Sequence, residues 1–168
     1  MKFVLVDKIQ TLVPSQRIVT IKALSLAEEY LGDHFPAFPV LPGVLMIESL
    51  VQAAAWLTRV HQNFGKSMIV LSGARNVRYA SFVQPGDLLR CEVDAVEIAD
   101  NAAKFKGNGF VGERLAVSAR IELRCFNLAD RQKYLADADR QIISQMRRRF
   151  ELIGGPAALA ASGALSNG

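Results

Sequence analysis

The sequence is poor in the residues that mark several common classes of protein. Its 168 residues include only two cysteines, two histidines and one tryptophan. Cys91 and Cys125 lie far apart in strand-like segments and lack metal-ligand spacing, so we expect two free, mostly buried thiols. No apolar run reaches the roughly 18 residues that a membrane-spanning helix needs, and the first apolar run is too short for a signal peptide. These absences favour a cytoplasmic protein.

The net charge of the chain is also small. The chain has 20 Lys and Arg against 16 Asp and Glu, which gives a net charge of +4. A dedicated nucleic-acid-binding protein usually has a larger excess, with aromatic residues interleaved among the basic ones. The modest excess suits a partner with an acidic surface. The length suits one domain, and 51% hydrophobic with 21% charged residues is typical of a soluble globular protein.

The longest predicted helix runs from Pro42 to Gly65. Proline is tolerated in the first turn of a helix, because the N–H that it lacks would have no partner there, and glycine often follows the last turn. Apolar side chains between these two residues are spread over most of the helix surface, so we expect a buried helix. They are Val44, Leu45, Ile47, Leu50, Val51, Ala54, Ala55, Leu57 and Val60.

Strands account for most of the remaining domain, which we place at residues 1–127. A single apolar helix followed by a meander of strands is most simply buried by a curved antiparallel sheet that closes round it. This α+β arrangement is the hotdog architecture, in which an exposed edge strand commonly pairs with a second copy. A short helix is predicted at 25–31, where Ser25 and Glu28 have capping-box spacing. Strands are predicted at about 2–6, 17–24, 67–73, 75–83, 87–99, 102–111 and 114–126.

The tail has a different pattern. Residues 128–153 predict an amphipathic helix, with three arginines at 147–149 where cations suit the helix dipole. We expect this helix to dock on the sheet or on a neighbouring subunit; because its polar face is basic, a helix lying on a membrane surface is the alternative. Residues 154–168 are rich in Gly, Ala and Ser and are expected to be disordered. The apolar stripe of the helix is Leu135, Ala138, Ile142, Met146 and Phe150.

Residues 34–52, HFPAFPVLPGVLMIESLVQ, bring together groups that can transfer protons. Glu48 lies on the second turn of the predicted helix, where burial would raise the pKa of its carboxyl and make it a proton donor. Gln52 lies one turn further on and can hydrogen-bond it. N–H groups at the start of a helix can stabilise an oxyanion, and Gly43 lets a substrate approach them closely. Considered singly, His34 could instead be structural, and Glu48 exposed or paired with an arginine.

This segment resembles the signature of the FabZ-type 3-hydroxyacyl-acyl-carrier-protein dehydratases, a hotdog-fold family. Their pattern is His-Phe-Pro-Gly, then Pro-Gly-Val, then Glu-x-x-x-Gln. The nine-residue step from the histidine to the glycine and the fourteen-residue step to the glutamate both match here. The resemblance extends over about residues 4–126. Three positions depart from it: Asp33 and Ala37 replace glycines, and Phe38 stands where a polar or basic residue is frequent.

The resemblance implies an activity and roles for these residues. The activity would be dehydration of (3R)-hydroxyacyl thioesters on acyl carrier protein to trans-2-enoyl thioesters, in fatty acid or related acyl-chain biosynthesis, without a metal or other cofactor. His34 would take the C2 proton, Glu48 would protonate the leaving hydroxyl, and the Gly43 N–H would bind the thioester oxygen. The family also implies a homodimer in which His34 of one subunit faces Glu48 of the other; trimers of such dimers (homohexamers) occur in the family, and assembly beyond the dimer stays open here.

Other residues are expected to surround this site. Val44, Gln52 and Phe38 would contact the substrate. Lys66, Arg75 and Arg78 are either a docking patch for the acidic acyl carrier protein or ordinary solvated charges. Two alternative functions stay open: another hotdog acyl-thioester enzyme, such as a thioesterase or an enoyl-CoA hydratase, or an acyl-binding paralogue with little catalytic activity.

Overall fold

A computed structural model describes residues 3–35 and 37–165. A six-stranded antiparallel sheet curves round the central helix α2 (Gly43–His61), with strands in the order β1-β2-β4-β5-β6-β3. This architecture confirms the predicted α+β fold of a long buried helix wrapped by a sheet. The strands are β1 (Lys8–Val13), β2 (Arg17–Ala23), β3 (Met68–Tyr79), β4 (Leu88–Ile98), β5 (Ala102–Val111) and β6 (Arg114–Phe126). The other helices are α1 (Tyr30–Asp33), α3 (Ala136–Leu152) and α4 (Gly155–Leu165).

The core lies between α2 and the concave face of the sheet. Leu50, Ala54 and Leu57 of α2 are fully buried, as the distribution of apolar residues predicts. Gly107 of β5 makes close packing possible, because a Cβ at that position would lie 3.2 Å from a methyl carbon of Leu50. The sheet therefore holds α2 in a fixed position, with its N-terminal turn near the end of β3.

The C-terminal end of α2 differs from the prediction. The helix ends at His61, and the left-handed residues after it are Asn63 (φ 47°) and Phe64 (φ 60°) rather than Gly65. The N–H of Phe64 donates to the carbonyl of Arg59 at 2.7 Å, which is the longer hydrogen bond of a Schellman motif. Asparagine tolerates this backbone conformation better than most residues, so the chain turns before it reaches the glycine.

Two predicted strands, 67–73 and 75–83, are one continuous strand, β3. Its pairing with β6 shifts register between Leu71 and Gly73 and again between Arg75 and Arg78. Such irregularities interrupt the alternation of side chains between the two faces, so the sequence resembles two short strands. The predictions for β4, β5 and β6 agree with the structure to within one residue at each end.

The segment before α2 also departs from the prediction in two places. The first strand of the described residues is β1, and residues 3–6 form no strand, because the N–H of Leu5 donates to the side chain of Gln52 at 2.9 Å; residue 2 of the predicted strand lies outside the described chain. The short helix is α1, not residues 25–31. Ser25 caps no helix, and its hydroxyl accepts the N–H of Ala27 at 3.2 Å within a turn.

The tail contains more helix than predicted. The segment 128–153 begins with two 3₁₀ turns, Leu128–Asp130 and Lys133–Leu135, and α3 starts only after them. The expectation of disorder from residue 154 is wrong as far as Leu165, because α4 forms there and packs against β1; residues 166–168 lie outside the described chain. Alanine is a strong helix former, and burial of Ala158 adds a tertiary contact. Among the described residues, no helix is long and apolar enough to cross a membrane.

Candidate active site

His34 caps the C-terminal end of α1, where its N–H donates to the carbonyl of Tyr30 at 3.2 Å. Its imidazole is half-buried and lies with its centroid 4.4 Å from that of the Phe35 ring. Phe35 has a positive φ of 49°, a conformation that an aromatic residue rarely adopts. This sharp turn places the imidazole beside the start of α2.

Gly43 is the first residue of α2, and there is no room for a side chain at this position. A Cβ at this position would lie 2.9 Å from a ring carbon of Tyr79 at the end of β3. Only glycine allows the aromatic ring to pack this closely against the start of the helix. The first N–H groups of a helix have no partner within it, and they carry the positive end of its dipole. The first turn of α2 thus supplies donors for an oxyanion.

His34 and Gly43 line the same cavity. The cavity has a volume of about 370 Å³ and is otherwise lined mostly by apolar and aromatic side chains, among them Met46, Tyr79 and Phe82. An apolar pocket with a few polar groups is the usual form of a small-molecule site. The structure therefore brings together the expected base and the expected oxyanion donor.

Glu48 is held by Gln52, as the spacing predicts. The side-chain amide of Gln52 donates to Oε1 of Glu48 at 2.9 Å and to the carbonyl of Phe3 at 3.1 Å. Its carbonyl oxygen accepts the N–H of Leu5 at 2.9 Å. Three hydrogen bonds thus fix the orientation of Gln52, and through it that of one carboxyl oxygen. Glu48 itself is only half-buried in the single chain.

Glu48 and His34 do not share a cavity within one chain. Glu48 and Gln52 line a second cavity of about 160 Å³, to which Trp56 and Arg59 of the same helix also contribute. The separation follows from helix geometry. At 100° per residue, Glu48 lies about 140° round the helix axis from Gly43, which is five residues earlier. The two cavities therefore lie on different sides of α2.

The FabA-like domain family matches residues 1–120 of this chain. This chain belongs to the FabA-like family. The 3-hydroxyacyl-[acyl-carrier-protein] dehydratase FabZ of Koribacter versatilis is 36% identical over 119 residues, which cover 70% of this chain and 76% of that protein. The protein of the same name from Caulobacter vibrioides strain NA1000 is 38% identical over 122 residues, covering 71% and 76%.

Solved structures agree in fold with this FabA-like chain. The dehydratase heterocomplex ApeI:P from Xenorhabdus doucetiae has a TM-score of 0.64 at 18% identity, covering 79% of this chain and 90% of that one. The TT0310 protein from Thermus thermophilus has a TM-score of 0.53 at 14% identity, covering 70% and 89%. At these identities the likeness shows the hotdog fold alone.

Apolar side chains surround the mouth of the His34 cavity in this FabA-like protein. Phe38 is 45% exposed and packs edge-on against Phe82, with ring centroids 5.3 Å apart. Val44, on the first turn of α2, is 71% exposed. Tyr79 and Val77 of the edge strand β3 are exposed as well. Several large apolar side chains near this cavity are therefore exposed to solvent in the single chain.

The three expected docking residues do not form one patch. Arg75 lies 3.4 Å from a carboxylate oxygen of Glu122, and Arg78 follows it toward the His34 end of β3. Lys66 precedes the other end of β3, roughly 40 Å from Arg78 at 3.3 Å per residue, and pairs with Asp100 at 3.0 Å. Only the two arginines lie near the candidate site.

Sequence reasoning missed a basic row across the outer face of the sheet. Arg75 pairs in register with Arg120 of β6, which pairs with Lys106 of β5. Like charges directly opposite one another are unfavourable, but carboxylates flank this row, because Arg75 contacts Glu122 and Lys106 lies opposite Asp94 of β4. Only the strand register reveals it, because the three residues are distant in sequence.

The cysteines are free and buried, as predicted. Burial raises the pKa of Cys91 to about 12, with a smaller opposing effect of a hydrogen bond involving Thr20. Burial likewise raises the pKa of Cys125, so neither thiol is a reactive nucleophile at neutral pH. Within residues 3–35 and 37–165, His, Cys, Asp and Glu side chains form no group of three that could hold a metal ion.

Proposed function

We propose that this chain removes water from (3R)-hydroxyacyl thioesters carried by acyl carrier protein, and so forms trans-2-enoyl thioesters for fatty acid biosynthesis. The observation that carries the proposal is the placement of His34 beside the first turn of α2 in one cavity, in a chain of the FabA-like family. The relatives from Koribacter versatilis and Caulobacter vibrioides carry the name of a dehydratase of this kind.

The first proposed step is removal of the C2 proton by His34. As the C–H bond breaks, its electron pair moves toward the thioester carbonyl, and negative charge develops on the carbonyl oxygen. The Gly43 N–H, which has no acceptor within the helix, donates to that oxygen. Because the Gly43 backbone is held against Tyr79, this donor is in place before the substrate binds.

The second step is loss of the hydroxyl from C3. The C3–O bond breaks as Glu48 gives its proton to the departing oxygen, and the electron pair at C2 forms the C2=C3 double bond. Gln52 binds one carboxyl oxygen, which leaves the other oxygen to carry the proton. The proton taken up by His34 then returns to Glu48 through water, so the products are one enoyl thioester and one water molecule.

We propose that two copies of the chain share each site. One copy places His34 and Glu48 in separate cavities, and the exposed residues around the His34 cavity offer an apolar surface for a second copy. The edge strand β3 has unpaired backbone groups along one side, which are a template for strand pairing. In the proposed homodimer, His34 faces Glu48 of the partner subunit, and burial at the interface completes the desolvation of the carboxyl.

The proposed partner is acyl carrier protein, which is acidic. Arg75 and Arg78 lie toward the candidate site, and Arg120 and Lys106 continue the basic row across β6 and β5 as far as Asp94 of β4. Lys66 is not part of this proposal, because it lies at the other end of β3. We also propose a cytoplasmic location, since buried free thiols suit a reducing compartment.

The test is turnover of 3-hydroxybutyryl acyl carrier protein, followed by the absorbance of the enoyl thioester. We expect His34→Ala and Glu48→Gln each to lower kcat by about 10²–10⁴-fold, the usual contribution of a general acid or base. His61→Ala is the matched control, because the other histidine is exposed at the far end of α2 and its loss leaves turnover unchanged. Release of free carrier thiol without enoyl absorbance would identify a thioesterase and refute the proposal.

A further inference from the structure

Part of the Glu48 cavity is built by residues beyond the family match. Met146 and Arg149 of α3 line this cavity together with Glu48 and Gln52. The FabA-like match ends at residue 120, before α3 begins. One wall of the cavity is therefore supplied by an extension that the family match does not cover.

The C-terminal half of α3 contacts Trp56 of α2 and the turn that follows this helix. The Phe150 ring is buried, with its centroid 6.0 Å from that of Trp56 and 5.5 Å from that of Phe64. Arg147 donates to the carbonyl of Asn63 at 2.8 Å, and its guanidinium lies 4.6 Å from the centroid of the Phe64 ring. Arg149 lies between these two anchored positions and Met146 directly precedes the first of them, so both are held in place on α3.

The N-terminal end of α3 is anchored as well. The carboxylate of Asp139 accepts the N–H groups of Leu128 and Ala129, each at 2.9 Å, and the Ser67 hydroxyl. Asp139 is buried, and Ser67 precedes β3, so this network joins α3 to the main sheet. With both ends fixed, α3 forms a permanent wall of the cavity.

The cavity extends along α2 away from the reacting carbons. Its lining includes Glu48, Gln52, Trp56 and Arg59, and the first and last of these are about 16 Å apart along the helix axis at 1.5 Å per residue. The buried Arg59 guanidinium donates to the carbonyls of Lys66 and Ser67 at 3.2 and 3.3 Å. A polar and fixed group therefore lies at the end of the cavity that is distant from Glu48.

From these features we infer that α3 limits the length of the acyl group. The inference rests on the proposed function, in which Glu48 meets the C3 hydroxyl; the carbons beyond C3 then enter the cavity that Glu48 lines. A volume of about 160 Å³ holds about five groups of the size of a water molecule, at about 30 Å³ each. The substrates are then short 3-hydroxyacyl groups of about four to eight carbons, and Met146 and Arg149 are the specificity-determining residues.

The experiment compares kcat/KM over 3-hydroxyacyl carrier proteins with chains of four to twelve carbons. We expect the wild type to prefer short chains, and Met146→Ala and Arg149→Ala to extend activity to longer ones. The gain would be about fourfold for each methylene newly accommodated, which corresponds to the transfer free energy of one methylene. Met146→Trp shortens the profile but retains the four-carbon substrate, which has one carbon beyond C3.

Arg148→Ala is the matched control, because this exposed neighbour is absent from the cavity lining; its profile is that of the wild type. Circular dichroism of each variant monitors folding, and the half-buried Arg149 provides a second variant if the Met146 substitutions unfold the chain. An active wild type that prefers ten or twelve carbons, or a profile that no variant shifts, would overturn this inference alone. A wild type inactive at every length would overturn the proposed function together with it.

Discussion

A mixture of two inactive variants, His34→Ala and Glu48→Gln, tests whether the active sites are shared between subunits. The single chain places these side chains in different cavities, on sides of α2 that the helix geometry separates. If each site takes His34 from one subunit and Glu48 from the other, a mixed dimer contains one site with both groups and one site with neither. Each variant alone lacks one group at both sites.

The expected recovery follows from counting sites in a twofold-symmetric dimer. When the subunits of an equal mixture exchange freely, half of the dimers are mixed and each has one intact site, so activity returns to about a quarter of the wild-type value. This is far above the residual activity of either parent, which we expect to be lower by about 10²–10⁴-fold. Differently tagged subunits, purified as the mixed dimer, should have about half of the wild-type activity per dimer.

The reciprocal pairing gives the opposite result. A dimer of one wild-type subunit and one subunit with both substitutions has a single group at each shared site, so we expect it to be nearly inactive. Sites contained within one subunit would instead leave that dimer half active and the complementing dimer inactive. The enoyl absorbance assay on both purified dimers decides between the two, and the second pattern would refute the reasoning.

Three further predictions concern the donor, the docking surface and the tail. Gly43→Ala places a methyl group 2.9 Å from the Tyr79 ring, so we expect kcat to fall about a hundredfold as the N–H donor moves. Adding Tyr79→Leu to this variant should restore part of the lost kcat, and an unchanged kcat in Gly43→Ala alone contradicts the steric argument. Reversing the charge of Arg75 and Arg78 should raise KM for carrier-bound substrate at low salt but not at 1 M salt, where the Debye length is about 3 Å. KM for a small pantetheine thioester should stay unchanged, and a rise in KM that does not depend on salt speaks against docking of the carrier protein at these arginines. Burial tends to raise the pKa of Asp139, but hydrogen bonds from the hydroxyl of a serine and from two backbone N–H groups lower this pKa overall. The stabilisation by the Asp139 carboxylate is therefore complete above the unfolded-state pKa of about 3.9 and is lost as pH falls through the folded-state pKa. In denaturant titrations, the free energy of unfolding should depend less on acid pH in Asp139→Asn than in the wild type, and equal slopes of this free energy against pH would rule the network out.

Local patterns were sufficient to predict the existence and start of α2 and the bounds of strands β4 to β6. The apolar residues of α2 recur at helical spacing, and β4 to β6 alternate regularly between turns, so their bounds depend on nearby residues. The motif residues His34, Gly43 and Glu48 were singled out by residue type, spacing and the family resemblance, and their catalytic roles stay predictions. The separation of His34 and Glu48 into two cavities also follows from helical rotation, once the step between Gly43 and Glu48 is considered.

The features that the sequence did not reveal depend on distant contacts. The backbone of Leu5 bonds to Gln52 and not to a strand, a choice that no local pattern records. The helix α4 has almost no amphipathic pattern, and it is stabilised by its packing on β1. Likewise, the contribution of Met146 to the Glu48 cavity depends on how the tail folds back over α2.

The hydrogen bonds of Gln52 have a practical consequence for work on this protein. Because the same amide binds the backbone of Phe3 and Leu5 and the carboxyl of Glu48, the beginning of the chain is mechanically coupled to the proposed acid. A purification tag or fusion partner ahead of Phe3 would lie close to the backbone groups that orient this amide. Kinetic constants should therefore be measured on protein whose N-terminal tag has been removed.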